Sequence, residues 1–205
     1  MAEIDQDKIR NIVAQVLENI KKQGLIDDSE IQKFVPQTSA KGQSGVFPDV
    51  ESAVNAAKYA QKELLAMGME KRKEIIITIR ETGIKNARML AEMAVQETGM
   101  GRVEDKVQKN EGAAGFTPGI EDLTSEVKTG NRGMLLVEWT PYGLICAITP
   151  STNPTSTIIH NSICMVSAGN SVIFSPHPLA KECTLKAMML INDAIVRVGG
   201  PENLL

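Results

Sequence analysis

The segment TPSTNPT, residues 149–155, places hydroxyl and amide side chains around two prolines directly after a short apolar run. A second polar turn, SPHP at residues 175–178, follows the next apolar run and adds a hydroxyl and an imidazole. Such groups donate and accept hydrogen bonds, so either turn suits a polar ligand. From the residues alone, Asn153 is expected to cap the following helix, and His177 is expected to be either a solvated loop residue or a ligand contact.

Three cysteines, Cys146, Cys164 and Cys183, are the candidate nucleophiles of the chain. Each lies in a strand or helix pattern without a neighbouring base, so each is predicted to be a buried structural thiol. His160 lies within a helical pattern and is expected to be structural. No CxxC or Cys/His spacing occurs, so neither a metal site nor a disulfide framework is predicted.

The elements that position these groups are two repeats of an apolar run, a Pro-rich turn and a helical pattern. The runs LICAITP and NSVIFSPHP suit buried parallel strands, and TSTIIHNSICMVSAG and LAKECTLKAMMLINDAIVRVGG have helical spacing. This order predicts the opening of a doubly wound α/β sheet, whose ligands bind at the carboxyl ends of the strands. Both polar turns lie there. The residues NLL at 203–205 resemble the start of a third strand, so we expect the front portion of a longer protein.

The region before the sheet is predicted to be helical, with Asp49 as the cap of a helix that Gly68 closes. Four residues at helical spacing share one face of this helix: Val50, Val54, Ala57 and Leu64. One or two further helices are expected to break near Gly83 and to stop at Gly99 and Gly101. EDKVQKNEGAA predicts another helix, TPGIEDLTSEVKTGNRG is turn-rich and irregular, and GMLLVEWTPYG is extended.

Residues 1–22 have the pattern of an amphipathic helix, and residues 23–45 have the composition of a flexible linker. The apolar stripe comprises Ile9, Ile12, Val13, Val16, Leu17 and Ile20. A helix this short needs a surface to cover, which is either a separate partner or its own domain or a neighbouring subunit.

The composition excludes several functional classes. The net charge of −3 and the 3% aromatic content argue against nucleic-acid binding. The apolar runs are too short to span a bilayer, and the polar N-terminus does not have the pattern of a secretory signal. A cytoplasmic location is therefore expected.

The motifs ITPSTNPT, AGNSVIFSPHP and GGPENLL, in this order, resemble the aldehyde dehydrogenase superfamily. With ETGMGRVEDKVQKN and TPGIEDL, the resemblance narrows to the CoA-acylating acetaldehyde and propionaldehyde dehydrogenases of bacterial microcompartments, from about Phe47 to Leu205. It implies a cysteine thiolate that attacks an aldehyde, hydride transfer to NAD, and acyl transfer to coenzyme A as co-substrate. It also implies a homo-oligomer inside a microcompartment, with residues 4–22 as the segment that contacts a shell protein.

The resemblance assigns roles to both turns. Asn153 is expected to donate its amide to the oxyanion, although Thr152 occupies the position that the wider superfamily's spacing would give to this donor. The expected cofactor-binding residues are Thr149, Pro150, Ser151, Thr152, Ser175, Pro176, His177 and Pro178. Most of the superfamily has a lysine where SPHP begins. The family's nucleophilic cysteine lies beyond the equivalent of Leu205, so this chain alone is expected to be inactive.

The expected organisation is a docking helix at 1–22, a linker at 23–45, a helical wrap of the NAD-binding domain at 46–130, an oligomerisation strand at 131–142, and the first two strand–helix units at 143–205. One alternative is a truncated, non-catalytic interaction protein that keeps the docking helix and the subunit contacts. Another alternative is a nucleotide-binding module of unrelated function, which only the α/β pattern supports.

Overall fold

The structure is a computed structural model, and it describes residues 45–205. The predicted docking helix at 1–22 and all but the last residue of the predicted linker lie outside the described residues. The helices are α1 Val50–Ala66, α2 Gly68–Lys85, α3 Ala87–Thr98, α4 Val103–Phe116, α5 Pro154–Ser167 and α6 Lys181–Arg197. The strands are β1 Glu126–Gly130, β2 Gly133–Val137, β3 Leu144–Ile148 and β4 Ser171–Ser175. Two short 3₁₀ turns cover Ile120–Asp122 and Pro178–Ala180.

Helix α1 begins as the sequence predicts. The carboxylate of Asp49 accepts bonds from the backbone N–H and the hydroxyl of Ser52, both at 2.8 Å, and so caps the first turn. Ala57 and Leu64, on the face that these four residues share, are buried, whereas Val50 is 75% exposed. Val50 is the first helical residue, and at that end of α1 the described residues do not cover it.

Helix α2 continues through Gly83, so the predicted break there is wrong, and the break falls at Asn86. A Cβ on Gly83 would lie 3.1 Å from the Cβ of Ala114 and 3.2 Å from Cγ2 of Ile159. Gly83 therefore lets α2 pack closely against α4 and α5. Gly99 ends α3 in the left-handed conformation with φ 66°, as predicted.

Strands β1 and β2 form an antiparallel hairpin in which Gly130 pairs with Gly133. Residues 126–130 were expected to be irregular, and this prediction is wrong, because their pairing with β2 gives them extended structure. All ten residues of the hairpin strands are exposed. Trp139 and Tyr142, which follow the hairpin, are 73% and 95% exposed.

Strands β3 and β4 are parallel, as predicted, and their register places Leu144 opposite Ser171 and Ile148 opposite Ser175. Helix α5 connects them, which makes the strand–helix–strand unit of a doubly wound sheet. On the side of β4 away from β3, the N–H of Val172 donates to the carbonyl of Leu204 at 2.9 Å. Consecutive N–H groups of a strand point to opposite edges, so this contact agrees with a third strand beginning near residue 204.

The main core contains aliphatic side chains from α1, α2, α5, β4 and α6. Its largest fully buried members include Leu64, Ile75, Ile79, Ile158, Ile163, Ile191 and Ile195. In β3 the side chain of Ala147 is buried, whereas Cys146 and Ile148 are exposed, so the described residues cover one face of this strand. No described helix is long and apolar enough to cross a membrane.

Candidate functional site

The two polar turns meet at the carboxyl edge of the parallel pair. The N–H of Thr149, the first residue after β3, donates to the carbonyl of Ser175, the last residue of β4, at 3.0 Å. Residues 149–154 and 175–178 therefore leave the sheet side by side. The sequence predicts this juxtaposition, because parallel strands end at the same edge.

Asn153 occupies the N-cap position of α5, but its side chain forms no capping bond. Its backbone carbonyl accepts from the N–H of Thr157 at 3.1 Å, as the first helical bond requires. Its Oδ1 atom instead accepts from Nζ of Lys109 at 3.0 Å. The capping interpretation is thus right for the backbone and wrong for the carboxamide.

Helix α4 holds this turn through three polar residues on one face. In addition to Lys109, the ammonium of Lys106 donates to the carbonyl of Thr152 at 2.8 Å. Asn110 accepts from the hydroxyl of Thr155 at 2.9 Å and donates to the carbonyl of Ala87 at 3.0 Å. The i, i+3, i+4 spacing of these residues places them together on a helix, but no motif in the sequence indicates that they contact the turn.

The electrostatic environment of the turn is positive. Lys106 is 5% exposed, and burial lowers the pKa of its ammonium, with a further lowering from the neighbouring charge of Lys109. Neither lysine forms a salt bridge with a carboxylate among residues 45–205. The two ammonium groups beside this partly exposed turn favour negative charge that develops there.

The side chains of the first turn differ in access. Pro150 and Thr152 are exposed, and Ser151 and Asn153 are partly exposed. Thr149 is 2% exposed, and its hydroxyl has no hydrogen-bond partner among the described residues. Its side chain therefore lies inside the fold, and only the turn around it is accessible.

The second turn presents Ser175 and His177 to the surface. The Nδ1 atom of His177 accepts from the N–H of Leu179 at 3.1 Å and caps the short 3₁₀ turn. An accepting nitrogen carries no proton, so this bond selects the tautomer with hydrogen on Nε2. The Nδ1 atom of His177 thus forms a structural bond, and the Nε2 atom does not take part in that bond.

The N-terminus of α6 lies just after the second turn, and the carboxylate of Glu97 fills it. Oε1 accepts from the N–H of Glu182 and Oε2 from the N–H of Cys183, both at 2.8 Å. Burial alone would raise the pKa of Glu97, but the bonds from Cys183, Glu182 and Lys181 outweigh it and lower the pKa. A carboxylate on these N–H groups leaves little room for a ligand phosphate.

The cysteines depart from the prediction in two respects. Cys146 is exposed, because it lies on the open face of β3, and Cys164 is only partly buried. Cys164 also has a base nearby, since its sulfur lies 3.7 Å from Nε2 of His160. Burial nevertheless raises the pKa of the Cys164 thiol, and the nearby charge of Arg80 lowers it by less.

Cys183 is fully buried, as predicted. Burial, with the carboxylate of Glu97 nearby, raises the pKa of its thiol to about 12. Its sulfur contacts the carbonyl of Ala180 at 3.6 Å. Such a thiol is inert near neutral pH. Within residues 45–205 no group of three metal-ligating side chains comes together.

Residues 28–205 match the aldehyde dehydrogenase family, and the chain belongs to this family. The match begins before Phe47, where the resemblance was expected to start. The chain is 49% identical over 191 residues to the acetylating acetaldehyde dehydrogenase EutE of Escherichia coli K12, covering 93% of this chain and 40% of that protein. It is 44% identical over 180 residues to the CoA-propanoylating propanal dehydrogenase of Citrobacter freundii, covering 88% and 39%.

The fold of this chain is also similar to solved structures of acylating aldehyde dehydrogenases. The propionaldehyde dehydrogenase of Rhodopseudomonas palustris, with bound CoA and an acylated cysteine, has a TM-score of 0.76 at 47% identity, over 79% of this chain and 37% of that one. The propionaldehyde dehydrogenase of the Clostridium phytofermentans fucose utilisation microcompartment has a TM-score of 0.75 at 49% identity, over 78% of this chain and 37% of that one. The chain thus spans about 40% of the length of the curated relatives and corresponds to their N-terminal portion.

Proposed function

We propose that the protein containing this chain is a CoA-acylating aldehyde dehydrogenase that oxidises acetaldehyde or propionaldehyde to the acyl-CoA and reduces NAD. The observation that carries this proposal is the turn at 149–154. It presents Asn153 at the carboxyl edge of a parallel sheet, in a chain 44–49% identical to enzymes named for these reactions. The activity belongs to the complete protein, since the chain covers 40% or less of those relatives.

In this function the carboxamide of Asn153 donates to the oxyanion that forms when a thiolate adds to the aldehyde carbonyl. A neutral donor already aimed at that charge lowers the activation barrier by about 3–4 kcal/mol in related acyl chemistry. The hydroxyl of Thr152, one residue earlier and exposed, is the alternative donor. Two single substitutions separate these assignments.

NAD supplies the hydride acceptor, and coenzyme A supplies the thiol that takes the acyl group. The accessible residues at the carboxyl edge fit neutral contacts to a ribose better than contacts to phosphates. They are Pro150, Ser151, Thr152, Ser175, Pro176, His177 and Pro178. Because Glu97 occupies the start of α6, we do not expect a phosphate there.

The nucleophile of this function lies outside the chain. Cys183 is buried with its pKa near 12, the pKa of Cys164 is raised, and Cys146 lies on the open face of β3. In this proposal a cysteine encoded after residue 205 attacks the aldehyde. The 205-residue chain alone is then inactive.

The surroundings of the chain are part of the same proposal. The β1–β2 hairpin and the segment after it expose apolar side chains that suit contacts in a homo-oligomer: Met134, Leu135, Leu136 and Trp139. Residues 4–22 are proposed to contact a shell protein, which would place the enzyme in a microcompartment within the cytoplasm. The family relative from Clostridium phytofermentans is named for such a compartment.

The test is NADH formation by the complete translation product of the gene, supplied with propionaldehyde and NAD, with and without coenzyme A. We expect sustained NADH formation that requires coenzyme A, and an acyl-CoA product detectable by mass spectrometry. No NADH formation from either aldehyde by folded protein would favour the non-catalytic interaction protein. Equal rates without coenzyme A would indicate a hydrolytic rather than an acylating enzyme.

A further inference from the structure

The carboxamide of Asn153 has only one orientation in the observed contact. Lysine is a donor without an acceptor, so the amide atom 3.0 Å from Nζ of Lys109 must be the oxygen. The Nδ2 group then faces away from Lys109, and it makes no hydrogen bond within residues 45–205. The contact therefore fixes which end of the side chain is left to donate.

The backbone on either side of this carboxamide is also held. The buried ammonium of Lys106 bonds the carbonyl of Thr152, and Asn110 bonds the hydroxyl of Thr155. These side chains, with Lys109, come from one face of α4. They hold the turn on both sides of Asn153 without touching its Nδ2 group.

We propose that Lys109 is a positioning residue that turns the Asn153 carboxamide so that Nδ2 donates to the aldehyde oxygen, with Lys106 fixing the turn beneath it. This inference rests on the proposed function. The ammonium also polarises the amide, because a charge-assisted bond to the oxygen withdraws electron density from the nitrogen and makes its N–H groups better donors. A donor held in place before the reaction needs no reorganisation as charge develops.

The test uses the complete translation product with three lysine substitutions. Lys109→Met removes the charge and keeps the length, Lys109→Arg keeps a charged donor, and Lys62→Met is the control at an exposed lysine of α1. We expect Lys109→Met to lower kcat by about tenfold with little change in the KM for NAD. Lys109→Arg should recover most of the rate, and Lys62→Met should match the wild type. A kcat of Lys109→Met equal to that of the wild type would overturn the proposal.

The double variant Asn153→Ala with Lys109→Met separates this inference from the proposed function. If Lys109 acts through Asn153, the second substitution adds little to the loss caused by the first. Fully multiplicative losses would contradict positioning. An unchanged rate in Asn153→Ala alone would instead show that Asn153 does not stabilise the oxyanion. The contact between Lys109 and Asn153 would then have no role in the reaction.

A crystal structure of the Lys109→Met enzyme gives a readout that does not depend on activity. We expect the Asn153 side chain to leave its observed rotamer or to occupy two, while the carbonyl of Thr152 stays on Lys106. An unchanged, singly occupied carboxamide would show that Lys109 does not set its orientation.

Discussion

The carboxylate of Glu97 caps a helix that begins 83 residues after its own ends at Thr98 (98 to 181), and its Oε2 accepts the N–H of Cys183 at 2.8 Å. The side chain of Ala180, at the N-cap position of α6, has no acceptor to offer. Glu97 therefore replaces a local cap by a tertiary one and joins α3 to α6.

Replacing Glu97 by alanine should destabilise the fold. Loss of a capping acceptor costs about 0.5–2 kcal/mol, and here two backbone N–H groups lose their partner. Urea denaturation of Glu97→Ala at pH 7 should show a lower midpoint. The control is Glu92→Ala, an exposed position of the same helix. Equal midpoints for Glu97→Ala and the wild type would contradict the capping role.

The same contact predicts a pH dependence. Hydrogen bonds lower the pKa of Glu97 in the folded state below its usual value of 4.5, so the carboxylate stabilises the fold above that value. This contribution is lost as the pH falls below 4.5 and passes through the lowered folded-state pKa. The difference in unfolding free energy between the wild type and Glu97→Gln should therefore shrink from pH 7 to pH 3. A constant difference would contradict the assignment.

Gly83 and Gly112 form a matched pair for packing. A Cβ on Gly83 would meet Ala114 at 3.1 Å, whereas a Cβ on Gly112 meets only Phe116, at 3.9 Å. We expect Gly83→Ala to destabilise by about 1–3 kcal/mol through overpacking. We expect Gly112→Ala to stabilise by about 0.5–1 kcal/mol through helix propensity. Thermal denaturation would decide, and stabilisation by both substitutions would show that α2 has room to move.

The cysteines should differ in reactivity. With its pKa near 12, the thiol of Cys183 is ionised at only about one part in 10⁴ at pH 8, and it is also fully buried. Alkylation of the folded chain by iodoacetamide, followed by peptide mass spectrometry, should modify Cys146 first and Cys183 last. Rapid modification of Cys183 would contradict the burial of α6 against α3.

The sequence predicts the parts of this fold that depend on periodicity. The two strand–helix units, the left-handed end of α3 at Gly99 and the Asp49 cap follow from local patterns, and the structure contains them. The break expected at Gly83 fails because that glycine serves the packing of three helices, which is a tertiary property that no local pattern carries.

The candidate site was predictable only in outline. Parallel strands bring residues 149–154 and 175–178 to one edge, so the adjacency of the turns follows from topology. The contacts of Lys106 and Lys109 join positions more than 40 residues apart and depend on how α4 packs against α5, which composition does not encode. The exposure of Cys146 likewise depends on which face of β3 the described residues cover.

The central claim is that the turn after β3 stabilises the oxyanion, and the direct measurement is the pre-steady-state NADH burst of the complete protein. Asn153→Ala should slow the burst by about 10²–10³-fold, since removing one oxyanion donor has this effect in related chemistry. Thr152→Ala should leave the burst within about threefold of the wild type, since its hydroxyl then has no part in the reaction. A wild-type burst in Asn153→Ala, with a slow one in Thr152→Ala, would contradict the assignment and move the donor to Thr152.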